Sequence, residues 1–166
     1  MKITSSYKVQ IKQYRHIFDD TVRIYRDAVD FLISVCLENW NEISALDGML
    51  LRKSYVENLI HKTKEHPHPK YEFDAVFYKF PSYLRRDAIA CAIGKVSSHK
   101  SSLSNWEASD MTTRGAEPGI PKAGFEFPCM YKTVMYQRTD EYSCKVKVWI
   151  RNTWDWISLQ LRKSDV

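Results

Sequence analysis

The chain opens on an alternation. In residues 7–12, YKVQIK, Tyr7, Val9 and Ile11 alternate with Lys8, Gln10 and Lys12, which predicts a half-buried strand with a basic outer face. The period then changes. Phe18, Val22, Tyr25, Val29, Leu32 and Cys36 recur at the spacing of one helix face, and Asp19 and Asp20 lie at the start, where acids suit the positive end of the dipole. A second helix is predicted over 50–62, LLRKSYVENLIHK, ended by the prolines of HPHP at 66–69. A short helical turn is expected over 74–80. Pro81 opens a third helix that runs to about Trp106, with Ala88, Cys91, Ala92 and Gly94 as a small-residue inner side continued by Leu103 and Trp106. The Gly, Pro and Thr content of 109–124 reads as a loop.

The last third returns to alternation. FEFPCMY (125–131) and TVMYQR (133–138) read as strands. CKVKVWIR (144–151) places Lys145, Lys147, Trp149 and Arg151 on one face and Val146, Val148 and Ile150 on the other. TWDWISLQL (153–161) comes after a short turn at Asn152, so the two form an antiparallel hairpin. A single N-terminal strand cannot stand alone and must pair with these C-terminal strands. The expected class is therefore α+β: a small antiparallel sheet or β-barrel from residues 1–13 and 109–166, interrupted by a helical bundle at 14–108. No repeat or low-complexity tract is visible.

Composition narrows the classes of function. With 44% apolar and 13% aromatic residues in 166, the chain can bury a core and is not disordered. No apolar run reaches a bilayer-spanning length, and the N-terminus has no apolar signal region. Cys36, Cys91, Cys129 and Cys144 are far apart and form no CxxC, which fits reduced thiols in a cytoplasmic protein. The net charge of +5 is unevenly placed. Residues 81–106 hold four basic residues and one acid, and 111–166 hold nine and six. A phosphate-bearing partner is expected to meet those two regions.

Four stretches carry a family resemblance. They are the opening strand YKVQIK leading to the helix with RIYRDAVDFL, the helix start FPSYLRRDAI (80–89), PGIPKAGFEF (118–127), and the polar strand YKTVMY (131–136). In this order they resemble the N-terminal half of TnpB (OrfB-type) insertion-sequence proteins, the RNA-guided nucleases related to type V CRISPR effectors. The resemblance implies a wedge-type β-barrel carrying an inserted recognition bundle. It also implies a structured guide RNA and target-flanking double-stranded DNA as partners, with a separate catalytic half. The RuvC-like acidic trio and the four-Cys zinc finger of that family are not found here. The chain is therefore expected to cut nothing by itself and to need no cofactor or metal.

Carried over by position, the resemblance implicates Ser82, Tyr83 and Arg86 on the helix, and Lys132 and Thr133 on the strand, in reading the flanking DNA. The residues themselves add phosphate candidates. Arg85 and Arg86 lie in the first turns of a helix, where free N–H groups and positive charge point together. Lys145, Lys147 and Arg151 share a strand face with Trp149, a pattern that suits a phosphate backbone and a stacked base. Lys122 beside Gly119 and Pro121 is a further RNA or phosphate candidate. Each has a plainer reading as a solvated charge, and Trp154 and Trp156 read first as packing residues. His66 and His68 lack a third ligand, and Cys36 lacks a His or Asp companion. The alternatives are a transposase remnant or protein-interaction module without nucleic-acid activity, and, less favoured, a small enzyme, for which no acid–base pair is visible.

Overall fold

A computed structural model describes residues 9–12, 16–130 and 133–163 of the chain. It is α+β and divides into two compact units: Met1–Thr21 with Cys129–Val166, and Val22–Pro128. Among the described residues no helix is long and apolar enough to cross a membrane.

The helical unit is built on the predicted stripe. Helix α1 spans Asp19–Glu38, and Tyr25, Val29, Leu32 and Cys36 are all buried, joined by Ala28, Ile33 and Val35. Asn39 ends it: its side-chain amide donates to the Val35 carbonyl at 2.7 Å, so the chain turns into a short α2 (Trp40–Ala45). Gly48, at φ 81, supplies the left-handed turn that starts α3 (Gly48–Ile60). The helix expected over 50–62 thus begins two residues early, and Val56 and Ile60 bury its inner face. The expected turn near 74 is α4 (Phe73–Val76). Phe73 is fully buried, with ring centroids of Phe31, Phe77 and Phe80 at 5.7, 4.7 and 5.5 Å.

Helix α5 (Ser82–Ala108) packs on α3 and buries Leu84, Ala88, Ile89, Ala92, Ile93 and Val96. The small-residue inner side is only partly as expected. Ala88 and Ala92 are buried, Cys91 is half-buried, and Gly94 is exposed with nothing within 4 Å of where a Cβ would stand. Trp106 does not extend the core; its Nε1–H donates to the Gly115 carbonyl at 2.7 Å.

Residues 109–128 carry no helix or strand and belong to the helical unit. The expected domain boundary at 108 and the unit boundary at 128 differ because this segment is fastened to the helices. Arg26 Nε donates to the Glu126 carbonyl at 3.0 Å, the Ala123 N–H donates to Asp30 Oδ1 at 2.6 Å, and Lys95 pairs with Glu126. The strand expected over 125–131 is absent from 125–130. Pro128 has no N–H for a ladder, and Phe125 and Phe127 are exposed.

The sheet unit holds β1 (Tyr136–Arg138), β2 (Ser143–Ile150) and β3 (Thr153–Gln160), antiparallel in the order β1-β2-β3. The strand expected over 133–138 shortens to three residues, because Thr133, at φ 70, forms a turn whose N–H donates to the Tyr136 carbonyl at 2.7 Å. The β2–β3 register pairs Lys147 with Trp156 and Trp149 with Trp154. One face packs Cys144, Val146, Val148, Leu159 and Leu161 against Val9, Ile11, Ile17 and Phe18. Ile11 bridges Leu161, Lys12 N–H donates to the Gln160 carbonyl at 3.0 Å, and Arg162 N–H donates to the Gln10 carbonyl at 2.9 Å. The described part of the N-terminal segment therefore lies beside the end of β3, while Tyr7 and Lys8 of the predicted strand fall outside the described residues. Among those residues the sheet has three strands and does not close into a barrel.

The β2–β3 turn has two central residues, Arg151 at φ 51 and Asn152 at φ 60, the pattern of a type I′ hairpin. Asn tolerates this region, whereas the Cβ of Arg is strained there. The double substitution R151N/N152G is therefore expected to raise the unfolding free energy by about 1 kcal/mol. Urea titration checks it, and a lowered midpoint would show that the turn is not strained at Arg151.

Candidate nucleic-acid interface

The first surface is the entry to α5. Pro81 stands at its N-cap and no side chain caps the helix, so the first-turn N–H groups, which point out of the helix start, have no side-chain acceptor there. Tyr78, Lys79, Ser82, Tyr83 and Arg86 are at or near the surface here. The Lys79 ammonium lies 5.0 Å from the Tyr78 ring centre, and the Arg86 guanidinium 6.0 Å from that of Tyr83. Ser82, Tyr83 and Arg86 are the residues expected from the sequence; Tyr78 and Lys79 join them here, and their signal is the aromatic–basic pair just before the helix-opening proline.

Arg85 is a correction. Its side chain is 7% exposed, and Nη2 lies 3.0 Å from Glu57 Oε1, with Nη1 3.9 Å from Asp74 Oδ1. It is committed to an internal ion pair and does not offer a phosphate contact. Glu57 Oε2 also lies 3.5 Å from Arg86 Nε, so one carboxylate holds the buried arginine and steadies its exposed neighbour. Asp74 Oδ2 in turn meets His61 Nδ1 at 2.6 Å. His61 thus joins, by a hydrogen-bond contact, the Glu57–Arg85–Asp74 group that links α3, α4 and α5, which no local sequence pattern announces.

The second surface is the sheet face opposite the apolar cluster. Lys145 is exposed and pairs with Ser158 across the strands; Lys147 pairs with Trp156, and both are half-buried. Trp149 and Trp154 meet edge to face with centroids 5.6 Å apart, Trp154 being buried. Arg151 is exposed at the adjoining turn. Along the paired strands this face bears two lysines and no acid, since Asp155 falls opposite Val148 on the other side. At the far end Trp149 N–H donates to Thr21 Oγ1 at 2.8 Å, which satisfies β2 where β1 has ended. Trp156 is the aromatic directly opposite Lys147, while Trp149, the ring expected beside the lysines, stands opposite Trp154.

The other expected residues fall elsewhere. Lys122 is exposed on the 118–127 strap and borders a small cleft with Asp30, Ser34 and Ile120. Thr133 is exposed in the turn before β1, and Lys132 lies outside the described residues. The α5 entry and the lysine face belong to different compact units.

The strap that carries Lys122 is held electrostatically. Burial alone would raise the Glu126 carboxyl, but the Lys95 side chain and the Gly124 N–H outweigh it and hold the group below the ordinary glutamate range. A depressed folded-state value means that the stabilisation is complete above the unfolded value, about 4.3, and is lost as pH falls through the folded value. Acidification below about pH 4 is therefore expected to loosen 118–127 before the helices melt. Hydrogen exchange at the Gly124 amide reports it; protection unchanged down to global unfolding would contradict it.

Burial pushes Cys36 up to about 12 and raises Cys91 and Cys144, so none of these three is a ready nucleophile. Among the described residues no cluster of His, Cys, Asp or Glu could hold a metal ion.

The Aq_aa04 family model matches residues 3–150. The chain belongs to the Aq_aa04 family. A member from Aquifex aeolicus (strain VF5), the uncharacterized protein aq_aa04, is 27% identical over 135 residues, covering 75% of this chain and 76% of that protein. No solved structure matches this Aq_aa04-family chain.

Proposed function

We propose that this chain binds nucleic acid through the α5 entry and the lysine face of the sheet. The observation that carries the reading is the pairing of cations with aromatic rings at the α5 entry, Lys79 with Tyr78 and Arg86 with Tyr83; on the sheet, Lys147 is the cross-strand neighbour of Trp156. Phosphates would be neutralised by the cations, and bases or riboses would lie on the rings. The resemblance to the N-terminal half of TnpB-type proteins supports a finer assignment. In it the sheet, with its returning N-terminal segment, is the wedge-type barrel and contacts a structured guide RNA. The α5 entry, through Ser82, Tyr83 and Arg86, reads the DNA flanking a target. The hydrolytic carboxylates would belong to a separate catalytic half.

Fluorescence anisotropy with a labelled RNA hairpin and a labelled DNA duplex tests the assignment. Arg86→Glu is expected to weaken duplex binding by about tenfold or more while leaving the RNA hairpin less affected. Equal binding of the duplex by the variant and the unaltered protein would remove the α5 entry from the interface. No binding of either polymer by the unaltered protein would favour the reading of a protein-interaction module.

A further inference from the structure

The C-terminal half of α5 leaves the core after Val96, and its last turns are polar on the side that meets the 118–121 turn. Lys95, Ser98, His99 and Ser102 recur at the spacing of one helix face and line a groove of about 290 Å³. Pro118, Gly119 and Pro121 form the opposite wall. Among the described residues nothing hydrogen-bonds the Ser98 and Ser102 hydroxyls or the His99 ring. The Lys95 ammonium is fixed at the groove by its pair with Glu126.

We propose that this groove binds a terminal phosphate monoester. Two hydroxyls, one imidazole and one ammonium are donors set along one helix face, and a phosphate offers several acceptor oxygens in a compact volume. The two prolines present no N–H, and their rings offer an apolar wall to a ribose or base attached to that phosphate. The groove is near the lower size limit of small-ligand sites. Residues 88–106 of α5 contain no acidic side chain, and the one acid near the groove, Glu126 on Lys95, is not among its lining residues. A divalent cation is disfavoured as the occupant because no carboxylate lines the groove. The phosphate could belong to a free nucleotide or to the phosphorylated end of a strand. The site is distinct from the α5 entry and the lysine face, and does not depend on either binding nucleic acid.

The test uses the full chain and three probes: 5′-AMP, a short 5′-phosphorylated oligonucleotide, and the same oligonucleotide with a 5′-hydroxyl. Binding is followed through amide shifts of Ser98, His99 and Ser102. The phosphorylated probes are expected to shift these amides, and the 5′-hydroxyl oligonucleotide to bind about tenfold more weakly than its phosphorylated twin. AMP binding as tightly as the phosphorylated oligonucleotide would mark a free-nucleotide site; tighter oligonucleotide binding would mark a strand end. The variant S98A/H99A/S102A changes only groove-lining side chains without protein partners, so it should keep its thermal midpoint and lose AMP affinity by at least about tenfold. Lys95 is left in place because it holds the strap. The proposal is overturned if neither phosphorylated probe shifts those amides, or if the triple variant binds AMP as well as the unaltered protein.

Discussion

Replacing Glu57 by alanine is expected to cost the helical unit about 3–5 kcal/mol, since it strands a buried guanidinium. Arg85 is 7% exposed and Glu57 19% exposed, and the Glu57 carboxylate is the nearer of the two acids around it, at 3.0 Å against 3.9 Å for Asp74. Arg85 Nε already lacks a hydrogen-bond partner. Taking away Glu57 leaves the half-exposed Asp74 to balance the charge alone, which places the cost toward the lower end of that range. The double variant R85M/E57L removes both charges and fills the space with apolar atoms, so most of the loss should be recovered. Urea unfolding of E57L, R85M and the double completes the cycle. If E57A stays within about 1 kcal/mol of the unaltered protein, the buried pair is not what joins α3 to α5.

The second large effect concerns binding. K145E/K147E reverses both charges on a sheet face that has no acid of its own along the strands. Each phosphate contact contributes close to one unit of salt slope, and six to ten contacts span about three to five decades of affinity between low and moderate salt. Two lost contacts replaced by two repulsive ones are therefore expected to weaken RNA binding by at least about tenfold at low salt. Lys145 is exposed and Lys147 half-buried, and neither forms an ion pair among the described residues, so the thermal midpoint should change little. An unchanged affinity would assign both lysines to solvation alone.

The hairpin was legible because alternation reports burial directly: Val146 and Val148 point inward between Lys145, Lys147 and Trp149. The α1 stripe was legible for the same reason at helical spacing. Arg85 carries a sequence signal for its buried place. It stands three residues before Ala88 and seven before Ala92, on the buried stripe, whereas Arg86 is one position round and faces solvent. Its partner Glu57 is 28 positions earlier, and nothing local joins them. The alternation of FEF misled because those aromatic rings are not buried by a sheet; the segment is held by Arg26, Asp30 and Lys95 instead. The return of the N-terminal segment to β3 was legible through the rule that a lone strand needs a neighbour. The number of strands was not, because Thr133 and Pro128 shorten or forbid ladders that composition allows.

The most direct measurement is the affinity of the unaltered protein for a structured RNA across a series of salt concentrations. Cations at two surfaces predict a straight line of log affinity against log salt with a steep negative slope, several units in size. A flat line, or no measurable complex even at the lowest salt, would contradict the reading of these surfaces as phosphate-binding.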